Sequence, residues 1–127
     1  MLGDHTPVPT LAVKDLARAR EFYEGVLGLV PDGEPPEGVM YRTGSSRLFV
    51  YPSAFAGTNK ATAVSFQVRA EAFAAEVEAL RAGGIEFQTF EAPGLTWSDG
   101  VASMGDGLLS AWFADPDGNI LNLETAG

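Results

Sequence analysis

The stretch Ser110-Ala-Trp-Phe-Ala-Asp-Pro-Asp-Gly-Asn-Ile-Leu-Asn-Leu-Glu124 decides the fold of this chain. Two apolar runs flank the turn Asp115-Pro-Asp-Gly-Asn119, in which proline presets φ and glycine permits a positive φ. Such runs around a polar turn predict a β-hairpin. Because side chains alternate along a strand, Ile120, Asn122 and Glu124 are expected on one face of the sheet and the leucines on the other. The hairpin therefore directs a polar amide away from a core face.

One pattern of predicted elements occurs twice along the chain, and this hairpin ends the second copy. In the first copy a strand precedes a helix that Asp15 caps and Gly28 ends, and three short strands follow. Val13 and Val68 occupy equivalent places, and Gly83 ends the second helix as Gly28 ends the first. This self-similarity predicts two strand–helix–strand–strand–strand modules.

The boundaries of the predicted elements come from hydrophobic periodicity and from glycine and proline positions. Strands are predicted at residues 8–13, 29–32, 39–43, 47–51, 63–68 and 86–90, and helices at residues 16–27 and 71–82. Residues 91–107 are predicted to be a loop that is long for a compact domain, and such loops are often functional. This loop contains Trp97.

Composition narrows the classes of function. The chain has 127 residues, 46% of them hydrophobic, which is enough for a packed core, and it has no cysteine for disulfides or thiolate sites. A net charge of −9 disfavours nucleic-acid binding and suits a neutral or cationic small molecule. No signal-peptide pattern and no apolar run of membrane-spanning length are present, so we expect a cytoplasmic protein with no membrane partner.

Two segments carry a family resemblance, namely Val13-Lys-Asp-Leu-Ala-Arg-Ala-Arg-Glu-Phe-Tyr-Glu-Gly-Val-Leu-Gly-Leu29 and Trp112-Phe-Ala-Asp-Pro-Asp-Gly-Asn119. They resemble the vicinal oxygen chelate superfamily, which includes glyoxalase I, extradiol dioxygenases, fosfomycin-resistance transferases and bleomycin-binding proteins. The resemblance covers nearly the whole chain. It implies an α+β fold in which two βαβββ modules form a curled mixed sheet with a central cleft, usually in a homodimer.

The same resemblance implies one domain over residues 1–127. Module one is expected at about residues 7–52, a linker at about 53–61 and module two at about 62–125. One fold hosts many chemistries, so the function depends on the residues of the cleft.

The metal positions of the metal-dependent members carry unsuitable side chains here. The resemblance places Val8, Ala63 and Asn122 where those members have His or Gln, His and Glu. A further glutamate of some members falls on one of three apolar residues, Leu48, Phe49 or Val50. Catalytic divalent ions need converging imidazole and carboxylate ligands, so we predict no metal and no cofactor in the usual place. The only histidine, His5, is expected at the surface.

Strand parity, applied to the family's cleft positions, predicts small hydroxyls, amides and aromatic rings in the cleft. The predicted ligand-binding residues are Thr10, Phe49, Tyr51, Ser65, Gln67, Trp97, Ser110, Trp112 and Asn122. Apolar walls with a few hydrogen-bonding groups are typical of small-molecule sites, and an indole ring can stack on a flat ligand or face a cation. Aromatic residues on strands are also common in plain cores, so both interpretations remain open at this point.

These features favour a metal-independent small-molecule-binding protein of the glyoxalase/bleomycin-resistance type, which binds or sequesters an aromatic or apolar natural product. One alternative is a metal-free isomerase, lyase or cyclase that uses Glu124, Asp99 or Asp106 as its acid or base. A second alternative is a metal-dependent lyase or dioxygenase with displaced ligands. The sequence assigns no catalytic residue and leaves open whether the protein is an enzyme.

Overall fold

The computed structural model describes residues 1–125. The chain divides into two compact units, Met1–Lys60 with Pro116–Asn119, and Ala61–Asp115 with the chain from Ile120 onward. Each unit contains a mixed β-sheet and a helix, so the α+β class predicted from the sequence is confirmed. None of the helices in the described part of the chain has the length and apolar character that crossing a membrane requires.

The first unit is built on a four-stranded sheet with the order β1–β4–β3–β2. Its strands are β1 (Thr10–Val13), β2 (Val30–Pro31), β3 (Val39–Thr43) and β4 (Ser46–Pro52). β1 runs parallel to β4, and the other neighbours are antiparallel. A short 3₁₀ turn at Leu2–Asp4 precedes β1.

The helix of the first unit changes its winding halfway. An α-helical part, α1 (Leu16–Arg20), begins after Asp15, whose carboxylate accepts the N–H of Arg18 at 3.2 Å. It continues as a π-helical segment, Glu21–Val26, and the chain leaves the helix at Gly28, where φ is +71°. The sequence predicted the extent of this helix but not the wider turns, because a 3.6-residue periodicity describes only an α-helix.

The core of the first unit lies between this helix and one face of the sheet. Tyr41 on β3 is fully buried and stacks on Tyr23 of the π-helical segment, with ring centroids 6.0 Å apart. The buried side chains of the sheet that share this face are Leu11, Val13, Val39, Tyr41, Leu48 and Val50. Because side chains alternate, Thr10, Phe49 and Tyr51 lie on the face turned away from the helix.

The second unit is built on a five-stranded sheet with the order β5–β9–β8–β7–β6. Its strands are β5 (Thr62–Val68), β6 (Thr96–Ser98), β7 (Val101–Ser103), β8 (Leu109–Ala114) and β9 (Ile120–Thr125), and its helix is α2 (Ala70–Ala82). β5 runs parallel to β9 and the remaining pairs are antiparallel. The C-terminal hairpin predicted from the sequence is confirmed as β8 and β9.

α2 covers one face of this second sheet. Phe73 and Val77 of α2 pack with Ala111 of β8 and Leu123 of β9. Phe113 shares the buried face with Ala111, as strand alternation requires. The opposite face of this sheet, turned away from α2, is called the far face below.

Two predictions for the second unit are wrong. The strand expected at residues 86–90 is reduced to a single bridge, in which Gln88 N–H donates to the Trp112 carbonyl at 2.8 Å. The phenylalanines on either side of that bridge are held by ring contacts instead of by a ladder. Phe87 meets Phe113, and Phe90 meets Trp112.

The loop expected at residues 91–107 instead contains the β6–β7 hairpin. Asp99 and Gly100 form its two-residue turn with φ of +50° and +78°, and Asp-Gly is the usual sequence of such a type I′ turn. The first strand begins at Thr10 and not at Val8, because Pro9 has no N–H to donate to a ladder. The strand predicted at residues 29–32 shortens to β2.

Candidate functional site

The far face of the second sheet carries two rows of polar and aromatic side chains. Ser65 on β5 lies beside Asn122 on β9, which lies opposite Trp112 on β8. In the next row, Gln67 lies beside Glu124, which lies opposite Ser110. The structure therefore brings together the predicted binding residues Ser65, Gln67, Ser110, Trp112 and Asn122 on one face.

Three aromatic rings meet on this face and form what we call the aromatic cluster, Phe90, Trp97 and Trp112. The centroid of Phe90 lies 4.9 Å from that of Trp112 and 5.2 Å from that of Trp97, both edge to face. The two indoles are 6.0 Å apart at 55°. Phe90 is 43% exposed, so the cluster reaches the surface.

The position of Trp97 follows from the β6–β7 hairpin. Trp97 on β6 lies opposite Ala102 on β7, which lies opposite Ser110 on β8. Ala102 is fully buried and carries only a methyl group on the far face. The small side chain leaves room for the Trp97 indole to contact Trp112 over it.

The amide of Asn122 is held beside the cluster. Its nitrogen donates to the Ser110 hydroxyl and, at 3.2 Å, to the Ala111 carbonyl. Asn122 is 3% exposed and Ser110 is 2% exposed. A buried polar pair is stable when it is hydrogen-bonded, so these contacts fix the orientation of the amide.

The three predicted binding residues of the first unit lie on the face turned away from α1. The rings of Phe49 and Tyr51 are parallel within 4°, with centroids 5.8 Å apart. Thr10 is opposite Phe49 and is exposed, and its hydroxyl donates to the Val8 carbonyl at 3.0 Å. These residues form a stacked aromatic pair flanked by one hydroxyl.

The metal positions implied by the resemblance do not fit a divalent ion. Val8 is exposed before β1, and Ala63 lies at an irregularity of β5 between its pairs to β9. Asn122 uses its amide nitrogen within the sheet. Within residues 1–125, no three His, Asp or Glu side chains lie close enough to hold a metal ion together. His5 is exposed after the 3₁₀ turn.

A comparison of the sequence with known protein families identifies the family of this chain. Residues 4–123 match the Glyoxalase/Bleomycin resistance protein/Dioxygenase superfamily. The chain belongs to this superfamily. The two mixed sheets and the C-terminal hairpin are thus the fold of a glyoxalase-superfamily member. No curated protein matches the sequence.

Several solved structures share this fold. Lactoylglutathione lyase from Agrobacterium tumefaciens has a TM-score of 0.70 and 18% identity, over 96% of this chain and 93% of that one. Fosfomycin resistance protein FosX from Mesorhizobium loti has a TM-score of 0.68 and 16% identity, over 98% and 93%. An integron cassette protein from the mobile metagenome of a Halifax Harbour sewage outfall has a TM-score of 0.69 and 18% identity, over 92% and 94%. At these identities the likeness shows the fold alone.

Phe90 is the far-face residue that the sequence analysis missed. It ends the strand predicted at residues 86–90, and the sequence analysis assigned it no role. The Asp99-Gly100 pair is the signal that could have revealed Phe90. This pair predicts a hairpin that brings Trp97 back toward β8, and only a short segment then joins Phe90 to Trp97.

The strongest pKa shift belongs to Tyr41 in the core of the first unit. Burial raises the pKa of this hydroxyl well above its ordinary value, and its hydrogen bond to Glu24 raises it further. The hydroxyl donates to Glu24 Oε2 at 2.9 Å, and the same oxygen accepts Arg20 Nε–H at 2.8 Å. The network joins β3 to the π-helical segment.

This shift predicts a loss of stability in alkali. The unfolded state releases the tyrosine proton near pH 10, roughly the ordinary value, whereas the folded state retains it. The free energy of unfolding is therefore intact below that pH and falls above it, by about 1.4 kcal/mol per pH unit for this group. In Tyr41→Phe this contribution is absent, and the lost hydrogen bond to a carboxylate costs about 1.5–3 kcal/mol at neutral pH.

Urea unfolding between about pH 8 and pH 11 measures this effect, as the difference in slope between wild type and Tyr41→Phe. Tyr51→Phe is the matched control, because it removes a phenol from the opposite face of the same sheet. An alkaline slope in Tyr41→Phe equal to that of the wild type would contradict the assignment.

Proposed function

We propose that this glyoxalase-superfamily protein binds a flat aromatic or apolar small molecule, without a metal ion, on the far face of its second unit. The observation that carries the proposal is the aromatic cluster, whose Phe90 ring is accessible and whose Trp112 lies opposite Asn122, the residue with the fixed amide. Apolar rings with a few oriented polar groups are the usual make-up of a small-molecule site. Sequestration of a natural product is the role that we infer from this arrangement.

The physical chemistry of the cluster sets the ligand class. Ring contacts of this kind contribute about 0.5–1.5 kcal/mol each beyond the burial of area. A cationic ligand gains a further 0.5–2 kcal/mol, roughly, over an indole face. The net charge of −9 also attracts cations at long range. The proposal therefore covers neutral and cationic aromatic ligands. It includes a homodimer, which the family resemblance implies, and a cytoplasmic location, which the lack of a signal-peptide pattern favours.

Tryptophan fluorescence tests this proposal directly. The chain has two tryptophans, and both belong to the aromatic cluster. We expect saturable quenching by flat aromatic natural products and no response to fosfomycin, which has no aromatic ring to stack. Absence of saturable quenching by every aromatic compound, or quenching equal to that of free N-acetyltryptophanamide, would contradict the proposal.

A metal-free enzyme is the second candidate, because one carboxylate lies on the same face. Glu124 is half-buried between Gln67 and Ser110, within the two rows described above. The other two candidate acids form turns with positive φ, and Asp99 is paired with Arg81 at 3.3 Å. Analysis of the same titration mixtures after prolonged incubation separates the two functions, since a binding protein returns its ligand unchanged.

A further inference from the structure

The β3–β4 hairpin of the first unit borders a pocket of about 340 Å³, and none of the predicted binding residues lines it. We call it the hairpin pocket. The side chains used in the argument below are Thr6, Asp32, Arg42, Ser45, Ser46 and Arg47. All six belong to the first unit, so the pocket is complete within it.

Two arginines lie side by side in this pocket. Arg42 on β3 and Arg47 on β4 are direct cross-strand partners, and strand alternation places both on the face turned away from α1. Like charges that lie directly opposite each other destabilise a strand pair unless an anion is near. The chain has a net charge of −9, so this pair is a positively charged spot on an acidic protein, and a negative group beside it would stabilise it.

Asp32 supplies that counter-charge only in part. Its carboxylate lies 3.4 Å from Arg47 Nε and 3.8 Å from Arg42 Nη2. The contact with Arg42 is longer than a hydrogen bond. One carboxylate facing two guanidinium groups leaves the pocket with one positive charge in excess. Each guanidinium carries five N–H donors, and most of them point to no partner among residues 1–125.

Neutral donors surround the two arginines. The hydroxyls of Thr6, Ser45 and Ser46 line the same pocket, and none of them bonds to another side chain in the described part of the chain. The arginine side chains are 63% and 51% exposed, so a solute reaches them without a change in the fold.

We propose that the hairpin pocket binds an oxyanion, the carboxylate or phosphate group of a small molecule. Planar guanidinium groups match the oxygens of both groups and form paired, charge-assisted hydrogen bonds with them. A single negative charge neutralises the excess of the pocket. Asp32 acts as an internal competitor that holds the two arginines together when no anion is bound.

Titration followed by ¹H–¹⁵N NMR tests this site. Inorganic phosphate and acetate are added separately at constant ionic strength, and the amides of Gly44, Ser45 and Ser46 are followed. We expect saturable shifts confined to the hairpin and to Thr6. Tighter binding of phosphate identifies a tetrahedral ligand group, and tighter binding of acetate identifies a carboxylate.

Charge variants provide the decisive comparison. Arg42→Gln and Arg47→Gln are each expected to weaken the binding of the anion by about tenfold, since a charged hydrogen bond is lost. Asp32→Asn removes the competing carboxylate and is expected to strengthen the binding of the anion. Arg69→Gln is the control, because Arg69 is an exposed arginine of the second unit, paired with Glu71, and its loss changes the net charge equally.

Three outcomes would overturn the site. These are shifts without saturation, shifts that persist unchanged in both hairpin variants, and an equal weakening in Arg69→Gln, which would trace the effect to net charge. Weaker binding in Asp32→Asn would contradict the competitor role. The result is independent of the aromatic cluster, because all the variants of the pocket leave Trp97 and Trp112 in place.

Discussion

Trp112→Ala is expected to weaken the binding of an aromatic ligand by about 2–3 kcal/mol, which is roughly a 30- to 150-fold rise in Kd. Trp112 contacts both other rings of the aromatic cluster and lies opposite Asn122. Its removal therefore takes away one stacking surface and leaves Phe90 and Trp97 without the ring that orients them. The indole is half-buried on the far face, so the cost to the packing around α2 is small.

Isothermal titration calorimetry is the suitable measurement, because the variant has lost one of the two fluorophores. Phe55→Ala is the matched control. Phe55 is an aromatic residue in the first unit that is 79% exposed, so its removal is expected to leave the affinity unchanged. An affinity of Trp112→Ala within twofold, roughly, of the wild-type value would place the ligand somewhere other than the aromatic cluster.

The elements that could be predicted from the sequence are those that short-range chemistry specifies. The turn residues 115–119 define the C-terminal hairpin, Asp15 caps α1, and Gly83 ends α2. Alternation along β8 and β9 then separates Trp112 and Asn122 from the core leucines without any knowledge of the fold. These inferences need only neighbours within a few residues.

The features that could not be predicted depend on contacts between distant segments. The π-helical segment Glu21–Val26 forms where Tyr23 packs on Tyr41, and no periodicity in residues 16–27 indicates that contact. The single bridge at Gln88 exists because Trp112 lies beyond the end of the β7 ladder. Neither Phe87 nor Phe90 shows in the sequence which ring of the sheet it will meet.

The candidate site divides in the same way. Parity predicts which face Ser110 and Asn122 occupy, but their hydrogen bond depends on the register between β8 and β9. To predict the aromatic cluster, one would have to know two strand registers, that of β6 with β7 and that of β7 with β8. Trp97 was predicted as a loop residue for this reason, and its role in ligand binding stays a prediction.

Phe113→Ala is expected to have the opposite effect to Trp112→Ala, although the two residues are adjacent in the chain. Phe113 is 2% exposed on the face that α2 covers, and its ring meets Phe87 edge to face at 6.1 Å. Truncation of a buried phenylalanine removes its transfer free energy and leaves a cavity. We expect the free energy of unfolding to fall by about 3–5 kcal/mol.

Urea unfolding gives this change in stability, and calorimetry on the folded fraction gives the affinity, which is expected to stay within about twofold of the wild-type value. Since small domains have about 5–15 kcal/mol of stability, Phe113→Leu is a milder variant, with an expected loss below about 1.5 kcal/mol. A large loss of affinity in folded Phe113→Leu, without one in Trp112→Ala, would reverse the assignment of the two faces. The opposite pair of results would separate recognition from packing at two consecutive positions of one strand, because alternation places one ring on the far face and the other in the core.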